Sequence, residues 1–158
     1  EMILADSWVE YVENKQESDS AIGLTEQEKI ELTKNEIIKK ILEYDSSIEV
    51  NCCYIEYQGQ TFQYWPNKME RSVLKSVLND YIFNEIEIYR LDLRDFNISI
   101  EIGCTLLQDL LSKLEIYASQ CYNTTTDHLF NVRELTELEK INNYNYKTNY
   151  PEKLTFTV

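Results

Sequence analysis

The chain has 158 residues, 43% hydrophobic and 27% charged, with 28 acidic against 15 basic side chains and a formal net charge of −13. That length suits one domain with a real core and leaves little room for a second. A field of that sign repels a phosphate backbone, and no Lys/Arg stripe offers a local exception. No stretch approaches the ~20 consecutive apolar residues of a membrane span, so composition argues against both nucleic acid and a membrane-crossing segment.

Only three glycines and two prolines predict regular elements with few long loops. No signal peptide is visible, and Glu1 in place of an initiator methionine fits a chain continuing from a longer one. Residues 2–12 read as an extended N-terminal arm and 13–22 as a polar linker, leaving 23–158 as a single domain. A helix follows over "LTEQEKIELTKNEIIKKILEY". Thr25 and Glu28 form a capping box, and Ile30, Ile37, Ile41 and Tyr44 recur at helical spacing. The β-branched and aromatic run after it predicts a hairpin, 48–57 against 60–65, turning at Gln58-Gly59 and closed by Pro66.

Met69, Val73, Val77 and Tyr81 share one stripe of a helix predicted over 68–83. Alternation in "EIEIYRLDL" and "NISIEI" predicts a second hairpin turning at Asp95–Asn97, with a bulge near Tyr89 where the phase slips. Leu107, Leu110, Leu114, Tyr117, Cys121, Thr125, His128 and Val132 then follow a three-and-four spacing straight through "NTTT". That predicts one long helix over 104–134, opened by a second box at Thr105 and Gln108. A short last helix capped by Thr136 and Glu139, a Tyr-rich extended segment and a strand over 153–158 complete the chain. The fold class is α+β: two β-hairpins and a C-terminal strand packed against one long and two shorter helices.

Cys121 and His128, the only histidine, invite a reading as a catalytic or metal-binding pair. Seven residues on one helix put them about 10 Å apart on the same face. A nucleophile and its base need roughly 3 Å. Two ligands also fall short of the three or four that zinc requires, so both residues are expected in the core. No catalytic, cofactor-binding or metal-binding set emerges elsewhere. The chain lacks a Gly-rich phosphate loop, HExxH and GxSxG. Glu85 with Glu87, and Asp92 with Asp95, could act as acid–base pairs, yet carboxylates are abundant and solvated positions account for them. Cys52, Cys53, Cys104 and Cys121 show no CxxC spacing and are expected as reduced thiols. Asn123-Thr124-Thr125 matches a glycosylation sequon, relevant only in a secreted eukaryotic chain. Among twelve tyrosines, Tyr144, Tyr146 and Tyr150, with Trp8 and Tyr11 at the other end, read as candidate partner contacts.

Five stretches in order, "EYDSSIEVN", "WPNKMER", "LEIYASQCYNTTTDHLFNV", "ELTELEKI" and "YNYKTNYPEKLTF", together resemble a small C-terminal domain of unknown biochemical function. That domain recurs in tail-associated and other virion proteins of tailed phages and prophages of gut bacteria. The positions carrying the resemblance include Tyr44, Asp45, Trp65, Lys68, Arg71, Cys121, Asn123, His128 and Pro151. The chain departs from that pattern over 79–97, where a Gly-containing turn is usual. The resemblance implies a non-enzymatic structural component of the virion, in the tail, fibre or head–tail region. Its partners would be other virion proteins and further copies of itself, with assembly in the bacterial host cytoplasm. A tail-fibre assembly chaperone is the near alternative. An acidic immunity or inhibitor protein masking a basic toxin would equally account for the charge.

Overall fold

The computed structural model describes residues 23–158, so the arm and linker, with Trp8 and Tyr11, lie outside the described residues. These residues form two compact units, one of 23–40 with 130–144 and one of 41–129 with 145–158. Helix α1 (Glu26–Asp45) opens on the expected box. Glu28 N donates to Thr25 Oγ1 at 3.1 Å and Thr25 N to Glu28 Oε2 at 2.8 Å. Ile30, Ile37 and Ile41 are buried and Tyr44 half-buried.

The first hairpin is shorter than the pattern predicts. Strand β1 (Cys53–Tyr57) pairs antiparallel with β2 (Gln60–Tyr64), and residues 48–51 are turn and bend instead of strand. Val50 N and Asn51 N both bond back to Ser47 O, and the Asn51 amide donates to Asp45 O at 3.1 Å. Those local bonds take up the groups a ladder would need. Gln58 and Gly59 both have positive φ, 49° and 78°, as a type I′ turn requires.

Helix α2 (Lys68–Phe83) is capped by Asn67 and Glu70, whose side chains each accept the other's amide. The expected stripe is only half covered: Met69 is 77% and Val73 58% exposed while Val77 and Tyr81 are half-buried, and Arg71 and Leu78 are the fully buried positions. The buried row includes an arginine, which apolar periodicity cannot count.

Strands β3 (Ile88–Leu93) and β4 (Ile98–Gly103) pair without interruption from Ile88↔Gly103 to Leu93↔Ile98, so there is no bulge at Tyr89. The apparent phase slip arises because Ile88, 52% exposed, lies on the outer face of the regular strand while Leu91 and Leu93 face the core. Before it, Ile86 N–H returns to Tyr81 O at 2.8 Å and Glu85 takes a left-handed φ of 58° in the turn after α2. A 3₁₀ turn over Arg94–Phe96 and a left-handed Asn97 close the hairpin.

Helix α3 runs unbroken for 31 residues, Cys104–Glu134. All eight residues of the expected stripe, Thr125 included, are buried. It starts two residues too early for the Thr105 box, and the Gln108 amide instead donates to Asn79 Oδ1 at 2.7 Å. Helix α4 (Leu138–Asn142) likewise starts beyond Thr136. Glu137 is its N-cap, without a side-chain cap bond, and its carbonyl accepts the Ile141 amide.

Strand β5 (Thr155–Thr157) adds parallel to β1, giving the order β2-β1-β5 beside the separate β3-β4 hairpin. In the larger unit Ile55, Phe62, Leu78, Leu91, Ile100 and Ile102 meet Leu107, Leu110, Leu111 and Leu114 of α3 in one core. The smaller unit buries Ile30, Ile37, Val132 and Ile141 and is tied by Lys34 Nζ donating to Arg133 O at 2.7 Å.

Continuity of α3 is open to a direct check. Thr125→Pro should delete the ladder bond to Cys121, clash with that carbonyl and lower stability by ~3 kcal/mol or more. A thermal melt unchanged by this substitution contradicts a single helix, because proline is tolerated at the first turn of a new one.

Candidate functional site

Cys121 and His128 each expose only 4% of their surface, two turns apart on the inner face of α3. His128 Nε2 lies 2.8 Å from Thr148 O. Burial pushes the Cys121 thiol above its ordinary value, and burial with the neighbouring Cys52 pushes Cys53 up to about 12. Thiols held protonated in this way are poor nucleophiles. All four cysteines are free and buried. Among the described residues no group of three His, Cys, Asp or Glu side chains is placed to hold a metal ion.

Between the two sits Thr125. Its hydroxyl donates to Asp45 Oδ1 at 2.7 Å and lies 2.7 Å from the Tyr150 hydroxyl, whose proton it can accept. Tyr44 meets Tyr150 and Tyr146 edge-on, with centroids 5.3 and 6.0 Å apart. Two of the tyrosines expected to face a partner, Tyr146 and Tyr150, are half-buried and each has a ring contact with Tyr44. Tyr144 is half-buried, its hydroxyl accepting from the Asn131 amide at 3.4 Å. The sequon lies within a helix, with Asn123 exposed and Thr125 buried, and not on the surface loop an acceptor uses.

A second cluster surrounds Arg71, whose side chain is 5% exposed. Arg71 Nε donates to Glu115 Oε1 at 2.6 Å, Nη1 donates to Pro66 O at 2.8 Å, and the guanidinium stacks 5.3 Å from the Trp65 ring. Trp65 meets Tyr117 edge-on, and the Tyr117 hydroxyl donates to Val50 O at 2.8 Å. The Arg71 hydrogen bond holds the Glu115 carboxyl below its ordinary range; burial opposes this, and the charges of Arg71, Lys75 and Lys68 add to it. Of the nine positions named for the resemblance, Asp45, Trp65, Lys68, Arg71 and Cys121 line one cavity of about 350 Å³. Tyr44, Asn123, His128 and Pro151 do not.

The carboxylate pairs fare no better as acid–base machinery. Glu85, Glu87, Asp92 and Asp95 are all exposed. Hydrogen bonds from Ser99 and Arg90 push the Asp92 carboxyl down, away from the raised value a general acid needs.

What sequence reasoning missed is a cleft of about 650 Å³. Its walls include Gln63 and Tyr64 of β2 and Leu91, Asp92 and Leu93 of β3; Met69, Val73 and Val77 of α2 also line it. Successive residues of a strand point to opposite faces, so a cleft touched by consecutive ones meets the strand edge. Among the described residues β2 pairs only with β1, and β3 only with β4, so each has an edge that no described strand covers. Phe96, also lining the cleft, meets Phe62 of β2 edge-on at 5.4 Å. The available signal was the second apolar stripe of α2, which periodicity alone assigns to a core.

No family model, curated protein or solved structure matches the chain.

The Arg71–Glu115 pair carries a pH signature. Glu115→Gln should cost about 1.5–3 kcal/mol near neutrality, towards the lower figure because the carboxylate is partly screened by water. A carboxyl held low in the folded chain stabilises it above the unfolded value, near 4.5, and that contribution is lost as pH falls through the folded value. Urea melts should show a gap between wild type and variant that is constant around neutrality and narrows in acid. A gap unchanged into strong acid contradicts the assignment.

Proposed function

We propose that the chain is a non-enzymatic structural component of a phage virion, from the tail, fibre or head–tail region. It acts through protein–protein contacts with other virion proteins and with copies of itself. The observation that carries this reading is the placement of side chains. The thiols, the imidazole and the buried arginine take part in internal packing, whereas Met69 and Val73 of α2 are exposed and line a cleft with β2 and β3, each of which has one strand partner among the described residues. Open strand edges and exposed apolar faces are what recognition by strand addition uses. The ordered set of five stretches resembling a virion-protein domain points the same way. A second reading, an acidic immunity-type protein that masks a basic toxin, draws its support from the net charge of −13.

Mass and symmetry in solution separate the two. A virion part should assemble into a closed ring or a fibre, a trimer or larger by light scattering and native mass spectrometry. A monomer at every concentration, forming a one-to-one complex only with a basic protein, supports the immunity reading and contradicts the structural one.

A further inference from the structure

The cleft between β2 and β3 is the surface on which the described residues leave most undone. Gln63 and Tyr64 of β2 and Tyr89, Leu91, Asp92 and Leu93 of β3 line it, and the two strands do not pair with one another. Backbone amides and carbonyls on such edges are obligatory hydrogen-bonding groups, and only another extended backbone satisfies a row of them at the right spacing. On the α2 side, exposed Met69 and Val73 offer an apolar surface that no described residue covers. The charged groups lining the cleft are Glu70, Asp92 and Asp95 against Arg94, with Arg90 held on Asp92 at 2.7 Å. This mildly acidic lining sits in a chain whose net charge is −13.

We propose that this cleft is a strand-addition site for an extended segment of a partner protein that alternates apolar with basic side chains. The inserted backbone bonds to the open edges of β2 and β3, which would join the two sheets through a shared strand. Its apolar side chains, all on one face because strand side chains alternate, lie on Met69 and Val73. Its lysines or arginines, on the other face, are drawn by the general acidic field of the protein. Charge decides between occupants. A second copy of this chain brings another −13, and its apolar stretch Ser7–Val12 carries Glu10 and no basic residue. This inference rests on the reading of the chain as a contact protein and names the partner chemistry of that contact.

The test uses the whole chain and a synthetic eight-residue peptide of alternating valine and lysine, with blocked ends. Residue-resolved amide exchange is followed during titration. The proposal expects exchange along β2 and β3 to slow by about tenfold or more, with no change in β5. Val73→Gln, at an exposed position that folding does not need, should weaken binding by about tenfold. A peptide N-methylated at alternate residues keeps its charge but cannot pair with an edge, and should give no protection. Equal binding by that peptide, or by one with its valines and lysines in separate blocks, reduces the attraction to charge and overturns the proposal. Protection by a Ser7–Val12 peptide in place of the basic one assigns the cleft to a second copy and overturns it too. A chain that assembles in solution yet shows no protection removes this inference and leaves the structural reading standing. A chain that stays monomeric yet shows protection does the reverse.

Discussion

The buried row along α3 is the constraint on which the rest of the structure depends. Eight side chains at three-and-four spacing, from Leu107 to Val132, stay on one face of a 31-residue helix and all are buried. Its first half takes the apolar faces of both sheets and of α2. Further along, the row becomes polar without becoming exposed, and Cys121, Thr125 and His128 occupy positions that leucines hold near the start. A polar group can be buried there only if its hydrogen bonds are met inside the protein. Thr125 is met by Asp45 and Tyr150, and His128 by the Thr148 carbonyl. No buried side-chain nitrogen or oxygen among the described residues lacks a partner.

Those bonds also explain how the C-terminal segment is placed. Tyr150 and Thr148 are anchored on α3, and a few residues later β5 pairs in parallel with β1, which becomes the middle strand of its sheet. A three-residue strand has little stability of its own. Its position is set by that anchor and by Phe156 packing against the core. The same arrangement leaves β2 as an outer strand, and so the row on α3 and the open cleft belong to one topology. Function, on this account, follows from which groups the core satisfies and which edges it leaves unpaired.

Much of this was legible in the sequence because a single helix face writes its pattern plainly. The long helix, its continuation through "NTTT", both hairpin turns and the α+β class follow from spacing and turn chemistry alone. The failures share a cause. Arg71 reads as a surface residue until Glu115, 44 positions away, is brought to it, and only then can α2 bury that face and leave Met69 exposed. The boxes at Thr105 and Thr136 are plausible locally, yet the helices start at residues chosen by other contacts. The bulge at Tyr89 was inferred from a phase slip that an exposed isoleucine, Ile88, on the outer face of a regular strand produces instead. The edge-on packing of Tyr146 and Tyr150 against Tyr44 was likewise not legible, because sequence does not show which rings meet. Pairing across long separations is what single-sequence patterns omit, and the cleft is bounded by two strands that never pair with each other.

The central claim is that Cys121, Thr125 and His128 form a packing seam and not a reactive site. Thiol labelling kinetics under native conditions test it most directly. With all four cysteines buried, the account expects labelling no faster than the opening of the structure, and four equivalents released together on unfolding. Rapid native labelling of Cys121, ahead of the other three, would contradict it.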